Sequence, residues 1–420
     1  MIHMLERING LIWGKGLVFM LLLIGIVYTV KLKAVQFRLI PYMIKSTRSK
    51  EIRKNQFKTL CMSLGTAMGT GNITGVASAI TIGGAGAVFW MWISAFFGMA
   101  IVYAENSLSS IYSDKNTKGP MAYLSKGIGS RKLAKLFAFC CLLASFGMGG
   151  MVQANAMSES VTNWTGISKF HLSIIAFIIV FTVVRGGAKR IEKAAQIFLP
   201  FATILYAVIC IFVLYRTRSE LSNVFLSIFR EAFGISKCVG GITGYSISKA
   251  ISAGIRRGVF SNEAGLGSSP ILHSTSDNCK NAELQGMCSM LEVFIDTMIC
   301  CTLTALTVLS ASKNNTVEEA FHIFLGDNSC YFIAVLMTTF AFCTIIGWYY
   351  CGETAFVFLN NKLSKKIFSF VFSLVTAVGI IIKADKAWTI SDIFNGLMAF
   401  VNISGLILLI NKVERIKRSD

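Results

Sequence analysis

Long apolar runs separated by short polar connections dominate this chain. Roughly 18 or more mainly apolar residues are needed to cross a bilayer as a helix, and about eleven such runs occur. They lie near 12–31, 60–81, 86–112, 134–160, 170–185, 193–216, 244–273, 286–312, 329–359, 366–383 and 388–411. Two of them are interrupted. The first carries Gly65, Gly69, Gly71 and Gly75, and the second runs through Asn262, Glu263, Ala264, Gly265, Leu266 and Gly267. Glycine costs a helix about 1 kcal/mol relative to alanine. In hydrocarbon, every backbone group freed by a break needs a new partner. Freed groups that line a polar site would meet both conditions. Broken helices at matching positions in two halves of a chain mark the binding site of a secondary transporter. Close helix packing through Gly71 and Gly75 is the plainer alternative, but it accounts for neither Asn72 nor Glu263.

With the first run set aside as a peripheral helix, ten remain, and the two breaks fall five helices apart. The expected fold is an all-α polytopic membrane protein built as a 5+5 inverted repeat with two discontinuous helices. Residues 1–58 form the peripheral helix and a basic loop, and 59–216 the first five-helix repeat. Residues 217–243 form an external amphipathic connection, 244–411 the second repeat and 412–420 a basic tail. Pro200 is positioned to kink an interior helix.

Composition narrows the classes. Hydrophobic residues make up 54% of the chain and mean hydropathy is +0.64, which leaves almost nothing for a separate soluble domain. A net charge of +19 would suit nucleic acid, but the cations gather at 31–58, 115–135, 185–193, 362–366 and 412–418 and alternate with connections that carry few. That alternation is the positive-inside signature. It predicts an integral protein of a bacterial or archaeal plasma membrane, N-terminus outside and C-terminus cytoplasmic, whose basic loops touch anionic membrane lipid. No nucleic-acid partner is expected. The twelve cysteines lie mostly inside spans, where free cysteine behaves as a small hydrophobe. No Cys/His spacing suggests a metal site, and no cofactor is expected. There is no Gly-x-Ser-x-Gly elbow, no P-loop and no ring of repeated ligands of the kind that lines a channel. The chain therefore does not read as an enzyme, an ATP-driven pump or a passive pore.

At the first break, half-helix ends offer carbonyls to a cation and N–H groups to an anion. Asn72, Thr66, Thr70 and Thr74 add side-chain oxygens, a set that suits a hard cation such as sodium. Gln153 offers both donors and an acceptor, either to substrate or across to a neighbouring helix. Asn155, two residues on, faces elsewhere. Trp348 either roofs the pocket or is core. Acids inside a span are costly and usually functional; here they are Glu105, Glu263, Glu292 and Asp296. Glu263 reads as a clamp on its break rather than a direct ligand, while Glu105 and Asp296 read as buried hydrogen-bonding groups. Arg256 and Arg257 either draw carboxylate solutes inward or snorkel to the interface.

Several strings together resemble the alanine or glycine:cation symporter family over nearly the whole chain. They are Gly69 to Ala77, Gly86 to Trp92, Met151 to Asn155, Arg257 to Gly267, Phe294 to Thr297 and Gly347 to Glu353. The resemblance implies a leucine-transporter-type fold and sodium-coupled import of small neutral amino acids, alanine or glycine. Proton coupling or broader specificity is the alternative, with a membrane-embedded enzyme as a remote one. By the same resemblance, the carbonyls of Gly65 and Met68 would face one sodium together with Cys343 and Thr344. Asn72 and the Ala67 carbonyl would face a second. The candidate substrate residues are Ala67, Thr70, Gly71, Asn72, Thr74, Gln153, Asn262, Gly265 and Trp348. Two positions depart from the family pattern: Cys343 replaces a hydroxyl residue, and Gly150 stands where asparagine is usual.

Overall fold

A computed structural model describes residues 2–46, 50–234, 243–275, 281–360 and 364–416. Parts of three expected connections (47–49, 235–242 and 417–420) lie outside the described residues. Every long element described is a helix. In chain order, the helices used below are α1 (Ile2–Ile12), α2 (Lys15–Lys31), α3 (Lys50–Ala67), α4 (Thr74–Gly83), α5 (Gly86–Tyr112) and α6 (Arg131–Thr165). They continue with α7 (Lys169–Val184), α8 (Gly187–Arg216), α9 (Leu221–Ala232), α10 (Thr243–Asn262), α11 (Ser269–His273) and α12 (Ala282–Ala311). The last are α13 (Val317–Leu325), α14 (Ser329–Leu359), α15 (Lys365–Ile381) and α16 (Ala384–Leu408).

Among the described residues, seven helical stretches are long and apolar enough to cross a membrane. The other four expected segments are the shorter helices α7 and α15 and the two broken helices, α3–α4 and α10–α11. The count of eleven rests on those four, and the breaks themselves are what shorten two of them. Pro200 lies inside α8, which continues over its whole range.

Contacts between helices follow a swapped pattern. Helices α5, α6 and α7 of the first half pack on α12, α14 and α15 of the second, and the contact of α6 with α16 is matched by that of α8 with α14. Two five-helix units related by a two-fold axis produce these pairings. Helix α2 is not loosely attached. Tyr28 Oη donates to the Leu406 carbonyl at 2.8 Å and Trp13 Nε1 to the Asp392 carbonyl at 2.6 Å, fastening the N-terminal segment to α16. In the amphipathic connection, α9 buries Val224, Ile228 and Ala232, one face at helical spacing. Its Glu231 accepts from the Ala85 N–H at 2.7 Å at the start of α5, where Gly84 at φ +72° turns the chain.

Candidate functional site

The first break sits between α3 and α4. Gly69 is extended, and Thr70–Asn72 forms a single 3₁₀ turn. A Cβ on Gly69 would lie 2.6 Å from Thr344 Oγ1 and 2.7 Å from Gln153 Oε1, so α6 and α14 close on the bare backbone here. Only glycine permits that approach. The freed groups are taken up by side chains. Thr70 donates to Gln153 Oε1 through both its N–H (3.0 Å) and its hydroxyl (2.9 Å). Thr344 Oγ1 donates to the Gly65 carbonyl at 3.2 Å, and Thr304 Oγ1 to the Asn72 carbonyl at 2.7 Å. Thr74 Oγ1 returns to the Thr70 carbonyl at 2.8 Å. Gly71 lies under the ring of Phe260. Cys343 is buried against Gly65, and the Gly69 N–H closes on the Ala67 carbonyl at 2.8 Å. Met68 is buried, its N–H bonded to the Leu64 carbonyl at 2.6 Å.

Gln153 and Asp296 both come from helices with a π-helical stretch, Ser145–Val152 in α6 and Phe294–Cys301 in α12. Such i→i+5 turns recur at functional sites. Gln153 follows the first stretch directly and Asp296 lies inside the second. Asn155 points away, donating to the Gly379 and Ile382 carbonyls of α15 and its C-terminus.

The junction centred on Asp296 is the feature that the sequence reading underrated. Its Oδ1 accepts from Asn72 Nδ2 at 2.7 Å. Its Oδ2 accepts from Ser261 at 2.7 Å and from Thr297 at 2.8 Å. Asn72 belongs to the first break and Ser261 to the last turn before the second, so one carboxylate joins the two. Asp296 is fully buried. Among the described residues no lysine, arginine or histidine bridges it, and Asn72 Oδ1 is buried without a partner. A buried carboxylate is costly unless paired, and an orphaned carbonyl oxygen beside it adds to that cost. Carboxylate, amide oxygen and hydroxyls are the donor set of a hard cation.

The second break is built differently. Glu263, Gly265 and Gly267 have φ of +56°, +85° and +82°. Glu263 accepts from Ser268 across the turn, and from Trp348 Nε1 at 2.8 Å. Asn262 Oδ1 caps its own turn by accepting from the Ala264 N–H at 3.0 Å, while Asn402 donates to the Gly265 carbonyl at 3.0 Å and to Glu105. The clamp expected of Glu263 is thus present, with Ser268 and Trp348 as its partners. Trp348 is fully buried against Gly149; its indole N–H is committed to the clamp, which is a core role. Arg256 and Arg257 do not snorkel. Arg256 pairs with Asp392 of α16, and Arg257 lies 3.7 Å from the same carboxylate and 4.3 Å above the Trp388 ring. Trp388 packs on Phe260 with ring centroids 4.8 Å apart and planes tilted by 39°, so Phe260 and Trp388 together cover Gly71.

Two cavities flank the first break. One of about 870 Å³ reaches Ile73 and Thr74 and is bordered by Glu159, Glu318 and Glu319. The other, about 670 Å³, reaches Met62 and is bordered by Lys58, Lys118, Lys189 and Lys193, with Glu192 as its one acid.

Residues 1–419 match the family model described as the sodium:alanine symporter family. The chain belongs to the sodium:alanine symporter family. Its relatives include an uncharacterized transporter of Haemophilus influenzae, 37% identical over 96% of this chain and 92% of the relative. The probable sodium/glutamine symporter GlnT of Bacillus subtilis is 35% identical over 97% of this chain and 88% of its own. The sodium/alanine symporter AgcS of Methanococcus maripaludis is 34% identical over 97% and 94%. Among solved structures, the Eremococcus coleocola manganese transporter superposes with a TM-score of 0.55 at 14% identity, over 84% of this chain and 76% of its own. A sodium-coupled sialic acid symporter gives 0.51 at 13%, over 97% and 85%. These two show a shared secondary-transporter fold. The protein is an integral membrane amino-acid:cation symporter and not an enzyme.

Proposed function

We propose that this symporter imports a small neutral amino acid, alanine or glycine, together with sodium, and that the first break is where both bind. The observation that carries the reading is the buried Asp296, which bridges Asn72 and Ser261 with no basic partner among the described residues. A sodium ion held by Asn72 Oδ1, the Asp296 carboxylate and the Ala67 carbonyl would offset the buried charge and draw the two breaks together. A second sodium site falls at the Gly65 and Met68 carbonyls, Thr344 and Cys343, where the bond from Thr344 to Gly65 already joins α14 to α3.

Thr70 supplies the amino-acid end of the site. Its N–H and hydroxyl both point at Gln153 Oε1, and a substrate carboxylate that displaced the amide oxygen would meet the same two donors. Gln153 then contacts the substrate instead of the break. Phe260 packs directly on Gly71, a close approach that favours a small substrate side chain; Asn262 and Gly265 act by shaping the second break. With the lysine-rich loops in the cytoplasm, the acid-bordered cavity opens outside and the lysine-bordered cavity inside. Such a field favours cation entry from outside and release inward. The names of the relatives, sodium/alanine and sodium/glutamine symporter, agree with an amino acid and sodium as cargo.

Asp296 also favours one second reading, proton coupling, because a carboxylate without a cation partner can carry a proton instead. Uptake of radiolabelled alanine into proteoliposomes separates the two. An imposed inward sodium gradient is expected to drive accumulation, and a pH gradient in choline medium is not. Equal accumulation under both would replace sodium with the proton.

A further inference from the structure

Between α6, α7, α8 and α14 lies an almost wholly apolar cavity of about 650 Å³. Along α7 it runs from Leu172 to Val183, about 17 Å at 1.5 Å per residue. That is close to one leaflet, roughly half of a 30 Å hydrocarbon core. The flanking surface is exposed and apolar (Ile174 and Ile178 on α7, Ile197 and Ile204 on α8), so the groove opens to hydrocarbon. Its two ends differ in charge. Beyond Val183 the chain turns through exposed Arg185, Lys189, Arg190 and Lys193. The Arg185 guanidinium lies 5.3 Å above the Phe181 ring, and Arg190 donates to the Thr182 carbonyl at 3.1 Å, which holds both cations at the last turn of α7. The far end has Trp164 and a single cation, Lys169.

We infer that this groove holds one acyl chain of an anionic phospholipid, with the phosphate seated on Arg185 and Arg190. The floor of the groove includes Ala154 and Ile345, the chain neighbours of Gln153 and Thr344. A seated chain therefore braces the α6 and α14 walls from behind the first break. Lipid at this position acts on transport without touching substrate.

Native mass spectrometry of the full-length protein, taken from nanodiscs of mixed phosphatidylglycerol and phosphatidylcholine, tests this. One phosphatidylglycerol is expected to stay bound after washing in preference to phosphatidylcholine. The paired change Arg185→Gln and Arg190→Gln is expected to weaken retention about 25-fold, at about fivefold for each cation near the membrane surface. Both side chains are exposed, so folding is not at stake. Thr338→Phe, which fills the groove from α14, is expected to abolish retention while leaving the basic turn intact. Equal retention of the two lipids, or unchanged retention in both variants, overturns the proposal. Loss of retention on Lys169→Gln, with none in the paired variant, places the headgroup at the other end and overturns it too.

Discussion

The two helix breaks occupy equivalent positions in the two halves of the fold, yet their surroundings differ. In the second break, Glu263 bonds Ser268 across its own turn and Asn262 bonds Ala264, with Trp348 and Asn402 adding bonds from α14 and α16. Leu21, Pro120 and Phe137 pack directly on Gly265 and Gly267. In the first break, the Gly69 N–H and the Thr70 carbonyl are closed locally, while Gly65, Thr70 and Asn72 are bonded by side chains from other helices: Thr344, Gln153, Thr304 and Asp296. Asn72 Oδ1 is left over. Bonds lent by a neighbouring helix can be exchanged for bonds to a ligand when helices move, whereas a turn closed on itself and packed over cannot exchange without unfolding. The symmetry of the fold supplies two openings in the backbone, of which the second is packed over and the first keeps a buried, unpartnered acceptor.

Substitution at the second break should cause the largest loss. A Cβ on Gly267 would lie 2.5 Å from Pro120 Cγ in a residue at φ +82°. Left-handed backbone costs about 1–2 kcal/mol for a residue with a Cβ, and overpacking about 1–3 kcal/mol more. Gly267→Ala should therefore lower the melting temperature in detergent sharply and reduce the folded yield. A variant of normal stability would show that the break is not sealed.

Asp296→Asn should leave a folded protein, since the amide keeps one oxygen to accept from its neighbours. It should raise the sodium concentration needed for half-maximal uptake by about 10- to 150-fold, the equivalent of roughly 1.5–3 kcal/mol for a charged hydrogen-bonded partner. An unchanged sodium dependence would remove Asp296 from the ion site. The smallest change is expected for Trp348→Phe, which loses the indole bond to Glu263 and some buried ring volume. A cost of about 1–3 kcal/mol in stability is expected from one lost buried partner, with the preference for alanine over valine unaltered. A shift toward larger substrates would instead put the Trp348 ring in the pocket wall.

The sequence located both breaks, because glycine inside an apolar run carries a cost that only an unwound backbone explains. It also separated Gln153 from Asn155, since two residues on a helix cannot share a face. What it could not show was which faces meet. Asn72 and Asp296 are 224 residues apart, and Trp348 and Glu263 are 85 apart. No local pattern pairs them, so Asp296 read as a buried hydrogen-bonding group without a named partner, and Trp348 stayed open between pocket roof and core. The carboxylate inside an apolar span was the available signal for Asp296. Asp392 gave a similar one, for it lies within the last span opposite two otherwise unexplained arginines. The π-helical stretches that aim Gln153 and Asp296 inward left no mark in hydrophobic periodicity.

The central claim is that the first break binds ion and amino acid together, with Asn72 on the ion and Gln153 on the substrate. Measuring alanine affinity across a sodium titration tests it most directly, in the wild type, in Asn72→Ala and in Gln153→Ala. Coupling between two ligands is reciprocal and commonly worth 5- to 150-fold in affinity. Sodium should tighten alanine binding in the wild type by a factor in that range. In Asn72→Ala the factor should shrink toward one, and in Gln153→Ala alanine should bind weakly even at saturating sodium. If both variants bind alanine like the wild type at every sodium concentration, the site lies elsewhere.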